Sequence, residues 1–65
     1  MNWDTIKGNW SQMTGKVKEE WGDLTDDDLT EAAGERDQLV GKIQARYGVA
    51  KDEAERQVDG FVAKH

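Results

Sequence analysis

Trp3-Asp4-Thr5-Ile6-Lys7-Gly8-Asn9-Trp10-Ser11-Gln12-Met13-Thr14-Gly15-Lys16-Val17-Lys18-Glu19-Glu20-Trp21-Gly22 decides the class of fold. Its apolar side chains stand at Trp3, Ile6, Trp10, Met13, Val17 and Trp21, in steps of 3, 4, 3, 4 and 4 residues. That is the period of one helix face and not the alternation of a strand. Gly8 and Gly15 interrupt the run, and each costs about 1 kcal/mol relative to alanine inside a helix. A kink near Thr14-Gly15 is therefore expected, and Gly22 is placed to stop the helix after Trp21.

The same periodicity continues outward. Thr25-Asp26-Asp27-Asp28 has an N-cap hydroxyl with an acid three residues on, close to a capping box. An apolar stripe follows at Leu29, Ala32, Ala33, Leu39, Val40, Ile43 and Tyr47, with Gly34 dividing it and Gly48 closing it. A last helix runs through Ala54, Val58, Phe61 and Val62; Ala50 is a poor N-cap, although Asp52 and Glu53 suit the first turn.

A shift of 26 residues superposes Gly8 on Gly34, Gln12 on Gln38, Gly15 on Gly41, Lys16 on Lys42 and Gly22 on Gly48. Met13 falls on Leu39, Val17 on Ile43 and Trp21 on Tyr47, so both halves spell G-x-x-x-Q-[ML]-x-G-K-[VI]-x-x-x-[WY]-G. Self-similarity at a fixed period marks duplicated helical units that cannot bury their apolar faces alone. The expected fold is all-α: a compact bundle of four to five short helices arranged as two packed helical hairpins. Gly8, Gly15, Gly34 and Gly41 lie almost opposite the apolar stripes, either as helix breakers or as a smooth ridge for close approach by a second chain.

The 65 residues form one domain, 1–65, and hold 14 acidic against 9 basic side chains, a net charge of −5, with no cysteine. A disulfide and a thiolate zinc site are thereby excluded. No stretch of 18 or more apolar residues would span a membrane, and the N-terminus has no secretory pattern, so the expected location is the cytoplasm. Acidity opposes a nucleic-acid backbone, which is bound through lysine and arginine. Residues 23–37 concentrate the excess, with seven acids and only Arg36. They form either a solvated helix start or an acidic docking patch for a basic partner.

Chemistry has little to work with. The one histidine, His65, is the last residue, the one serine is Ser11, and neither has a catalytic partner nearby in sequence. The aspartate-rich segment fails the EF-hand pattern, which needs glycine at position 6 and glutamate at 12. Gly15-Lys16 and Gly41-Lys42 stand mid-helix and not in a phosphate-binding loop. No catalytic, cofactor-binding or metal-ligating residue is assigned, no small-molecule ligand is evident, and the chain is expected not to be an enzyme. Trp3 and Trp10 share the apolar face and are expected in the core, Trp3 partly exposed.

Gly8-Asn9-Trp10, Gly15-Lys16-Val17-Lys18-Glu19-Glu20-Trp21-Gly22 and Leu24-Thr25-Asp26-Asp27-Asp28-Leu29 resemble the CsbD-like family of small bacterial stress-response proteins. Gly34, Asp37-Gln38-Leu39-Val40-Gly41-Lys42-Ile43-Gln44 and Arg46-Tyr47-Gly48 extend the resemblance over nearly the whole chain. It implies a four- to five-helix bundle and a cytoplasmic protein induced in the general stress response, and supplies no functional residues. Two functions follow: a folded interaction module that binds a protein partner or itself, or an abundant hydrophilic protectant without a specific partner. Low mean hydropathy, −0.95, favours the protectant; three tryptophans in a periodic stripe favour the folded module.

Overall fold

The computed structural model describes residues 2–65 and contains five helices: α1 Trp3–Gly8, α2 Trp10–Glu20, α3 Asp26–Ala32, α4 Arg36–Tyr47 and α5 Lys51–Lys64. No strand occurs among the described residues. Most boundaries have a local cause. Asn2 caps α1 by accepting the Thr5 N–H at 2.9 Å. Asn9 ends α1 and starts α2, with its side-chain amide donating to the Thr5 carbonyl at 3.1 Å. The first stripe therefore breaks at Gly8-Asn9. The expected kink at Thr14-Gly15 does not occur, because α2 continues unbroken through Gly15.

Thr25 and Asp28 form the full capping box at the head of α3, each side chain bonding the other's backbone N–H at 3.1 Å. Ala33 and Gly34 both take left-handed backbone, φ 52° and 81°, and turn the chain from α3 into α4. Gly48 closes α4 in the same conformation at φ 67°. Gly22 is different: α2 ends at Glu20, Trp21 is its C-cap, and Gly22 lies in the following turn without a left-handed φ. Ala50 provides no side-chain cap to α5.

The core joins all five helices through Ile6, Met13, Val17, Leu29, Leu39, Ile43, Val58 and Phe61. Helix α4 packs against both α3 and α5, so its two faces hold the second half of the chain together. Shifting α2 by 26 residues lays it on 36–46, almost the whole of α4. One tertiary contact recurs at the same offset. Trp10 Nε1 donates to the Leu29 carbonyl at 3.0 Å, and Arg36 Nη2 donates to the Glu55 carbonyl at 3.5 Å.

Trp21 is buried, whereas Trp3 and Trp10 are half-buried against the core, 6.1 Å apart between ring centres. Trp3 Nε1 donates to the Gly34 carbonyl at 3.0 Å, clamping α1 onto the α3–α4 turn. Gly34 consequently does not belong to a solvent-facing ridge. A Cβ there would lie 3.1 Å from Lys7 Cγ, so the backbone that approaches it is the chain's own first helix. Gly8, Gly15 and Gly41 do face open space.

Candidate binding cleft

Gln57, Gly60, Phe61 and Lys64 recur at the spacing of one face of α5, and that face looks onto the C-terminal ends of α2 and α4. Those ends present Glu20, Trp21 and Tyr47. Together the seven residues line a cleft of about 460 Å³, within the range of roughly 300–1,000 Å³ usual for ligand sites. Trp21 and Tyr47 are the aromatic pair that the 26-residue shift superposes, and the two helix ends bring them to one place. They differ in burial. Trp21 is 3% exposed and packs on Phe61 with ring centres 5.3 Å apart and planes tilted by 47°, whereas Tyr47 is 39% exposed and forms an open wall.

Two polar groups of the cleft, the Gln57 amide and the Tyr47 hydroxyl, are fixed by partners that can only donate. Trp21 Nε1 donates to Gln57 Oε1 at 2.8 Å, and the Asp23 backbone N–H donates to the Tyr47 hydroxyl oxygen at 3.0 Å. At the rim, the Lys64 ammonium pairs with the Glu20 carboxylate. His65 packs on Phe61 with ring centres 4.6 Å apart. Ser11 lies exposed on α2, away from the cleft. No group of three or more potential metal ligands is brought together among the described residues.

Four of the seven acids in 23–37 form ion pairs within the molecule, and of these only Asp28 is buried. Lys18 pairs with Asp26 at 2.7 Å, Lys42 with Glu31 at 3.2 Å and Lys7 with Glu35 at 2.6 Å. Asp28 departs furthest from the expected solvated helix start, being only 5% exposed. Arg46 grips both its oxygens, Nε to Oδ2 at 2.8 Å and Nη2 to Oδ1 at 3.2 Å. The Arg46 guanidinium, followed by the Thr25 N–H, pulls the Asp28 carboxyl down to about 2. The Lys7 ammonium is held above its ordinary value by the Glu35 carboxylate that it touches. These ion pairs tie α3 to α2 and α4, and α1 to the head of α4, while Asp23, Asp27 and Asp37 have no ion-pair partner among the described residues.

Fold and site thus define a small five-helix module with a stapled acidic turn and one aromatic cleft, and no helix long and apolar enough to cross a membrane among the described residues. The chain belongs to the CsbD-like family, whose model matches residues 4–56. It is 62% identical over 65 residues to UPF0337 protein YjbJ of Escherichia coli O6:H1, covering all of this chain and 94% of that one. It is 61% identical over 61 residues to UPF0337 protein PA4738 of Pseudomonas aeruginosa, covering 94% of each. UPF0337 protein YjbJ of E. coli K12 is 66% identical over 58 residues, with 89% of this chain and 84% of that one aligned. These names attach no activity or partner to the family.

Sequence reasoning placed Trp21, Tyr47 and Phe61 in apolar stripes but did not join them into a site. The available signal was the polar tail of the last stripe, Gln57 and Lys64, running beside Gly60 and Phe61 on one helix face.

Proposed function

We propose that this protein is a preformed, non-catalytic interaction module of the bacterial stress response, working in the cytoplasm and meeting a protein partner at the cleft. The supporting observation is the contrast at the ends of the two repeat-related helices. Trp21 is packed away, while Tyr47 is kept 39% exposed as the large apolar side chain open to solvent among the described residues. An exposed aromatic beside a concavity suits recognition, because it gives large contact area for little lost rotamer freedom.

A photo-crosslinking phenylalanine analogue at position 47, with a control at Lys16, tests the assignment in stressed cells. A discrete adduct from position 47, displaced by excess unmodified protein and absent from position 16, is the expected result. Equal, diffuse labelling from both positions, with a client enzyme still protected against heat or drying, would instead favour the hydrophilic protectant. Low mean hydropathy, −0.95, is consistent with that second reading.

A further inference from the structure

The hydrogen-bond polarity of the cleft says what kind of group it takes. An indole N–H has no acceptor capacity, so the Gln57 side chain must turn its oxygen toward Trp21. Its amide nitrogen then carries two donors away from Trp21. A backbone N–H is likewise donor-only, so the Tyr47 oxygen accepts from Asp23 and its own hydrogen remains to donate. Neither the Gln57 amide nitrogen nor the Tyr47 hydroxyl hydrogen has an acceptor among the described residues. The third polar group, the Lys64 ammonium, also only donates. It is satisfied by a carboxylate of the chain itself, Glu20, at the rim of the same cleft.

Three donors around an aromatic-floored concavity complement an acceptor with several lone pairs and no hydrogen to give. We propose that the cleft captures a free carboxylate borne on an apolar body, namely the C-terminal carboxylate of a partner protein ending in an apolar residue. The Gln57 amide and Tyr47 hydroxyl would hold the carboxylate oxygens. Lys64 would exchange Glu20 for the incoming charge, and the last side chain would lie on Tyr47 over Gly60, whose missing side chain keeps the floor open. The Glu20–Lys64 pair thus acts as an internal competitor. With a net charge of −5 the molecule as a whole repels anions, so binding rests on these short-range donors. The assignment rests on the cleft being the docking site and adds the chemistry of what docks.

The test titrates the nitrogen-15-labelled chain with N-acetylphenylalanine, which has a free carboxylate, and with N-acetylphenylalaninamide, which has none. The acid is expected to shift the Gln57 side-chain amide and the backbone amides of Tyr47, Gly60 and Lys64. The amide should bind roughly tenfold more weakly, the loss of a charge-assisted hydrogen bond. Glu20→Gln, which releases Lys64, should tighten the acid several-fold, and Lys64→Gln should weaken it; both positions are surface ones that leave the core intact. A peptide ending in free phenylalanine that binds more tightly than the acid supports a protein C-terminus as the source. Equal binding of acid and amide, or a Glu20→Gln affinity that does not change, overturns the carboxylate assignment. Position-specific crosslinking at Tyr47 combined with that negative result would leave the docking site standing and sink only its chemistry.

Discussion

Asp28 and Arg46 clasp each other from opposite ends of neighbouring helices, the carboxylate in the first turn of α3 and the guanidinium in the last turn of α4. Both partners sit where the helix dipoles favour them, an acid at an N-terminus and a base at a C-terminus. The same carboxylate closes the capping box with Thr25, so one side chain both starts a helix and fastens it to the next. Removing Arg46 alone would strand a buried charge, which costs more than the pair contributes.

This geometry predicts a defined acid response. The folded-state value of about 2 lies below the ordinary 3.8 of an aspartate. The unfolded chain therefore takes up this proton first, and the pair's contribution is fully present above about pH 4. It is lost as pH falls through that interval and is gone below about 2. Asp28→Asn should be less stable than the parent at neutral pH, with the difference shrinking between pH 4 and 2 in urea unfolding curves. A constant gap across that range would refute the linkage.

The capping box itself is open to a separate measurement. Thr25→Ala removes the hydroxyl that accepts the Asp28 N–H at 3.1 Å. Loss of an N-cap of this type costs about 1 kcal/mol, and Thr25→Ser should restore most of it. The readout is the midpoint of thermal unfolding at neutral pH.

Glycines that look alike in sequence should respond in opposite directions. Gly15 and Gly41 lie inside α2 and α4 with nothing within 4 Å of an added Cβ. Gly15→Ala and Gly41→Ala should each stabilise by about 1 kcal/mol. At Gly34, φ is +81° and the new Cβ would meet Lys7 Cγ at 3.1 Å. Gly34→Ala should therefore destabilise by at least the roughly 1–2 kcal/mol of a left-handed non-glycine residue. Beside it, Ala33 already carries such a conformation at φ 52°, and Ala33→Gly should raise the melting midpoint.

How far the sequence discloses this molecule depends on how local each cause is. The apolar period, the Thr25–Asp28 cap and the Gly34 and Gly48 breaks arise within a few residues, and they are legible. The break at Asn9 was harder to find because glycine cost alone points equally to Gly8 and Gly15. Asn9 decides between them by bonding back to the Thr5 carbonyl. Asp28 looks like one more solvated acid until the fold brings Arg46 against it from 18 residues away. The cleft is less legible still, since it exists only where the ends of α2 and α4 meet one face of α5. A duplicated sequence pattern also hides a divergence in use: equivalent positions put Trp21 inside and leave Tyr47 outside.

The three tryptophans make that divergence measurable as stability. Trp21 is 3% exposed, packs at a tilt on Phe61 and spends its N–H on Gln57, so Trp21→Ala deletes a buried aromatic and leaves a cavity. Such truncations cost about 3–5 kcal/mol. A chain of 65 residues, at roughly 0.05–0.15 kcal/mol per residue, has little more than that in total. The variant should be largely unfolded at 25 °C, with collapsed amide dispersion. Trp21→Phe keeps the aromatic packing and loses one hydrogen bond, about 1 kcal/mol, so it should remain folded. Trp10 is half-buried, and its partner, the Leu29 carbonyl, also accepts the Ala33 N–H at 3.1 Å, so that carbonyl keeps a hydrogen bond when the indole is removed. Trp10→Ala should therefore cost less than Trp21→Ala, about 1–2 kcal/mol. Collapsed amide dispersion in Trp10→Ala as well would mean that the first tryptophan stripe is buried evenly, against the packing described for α2.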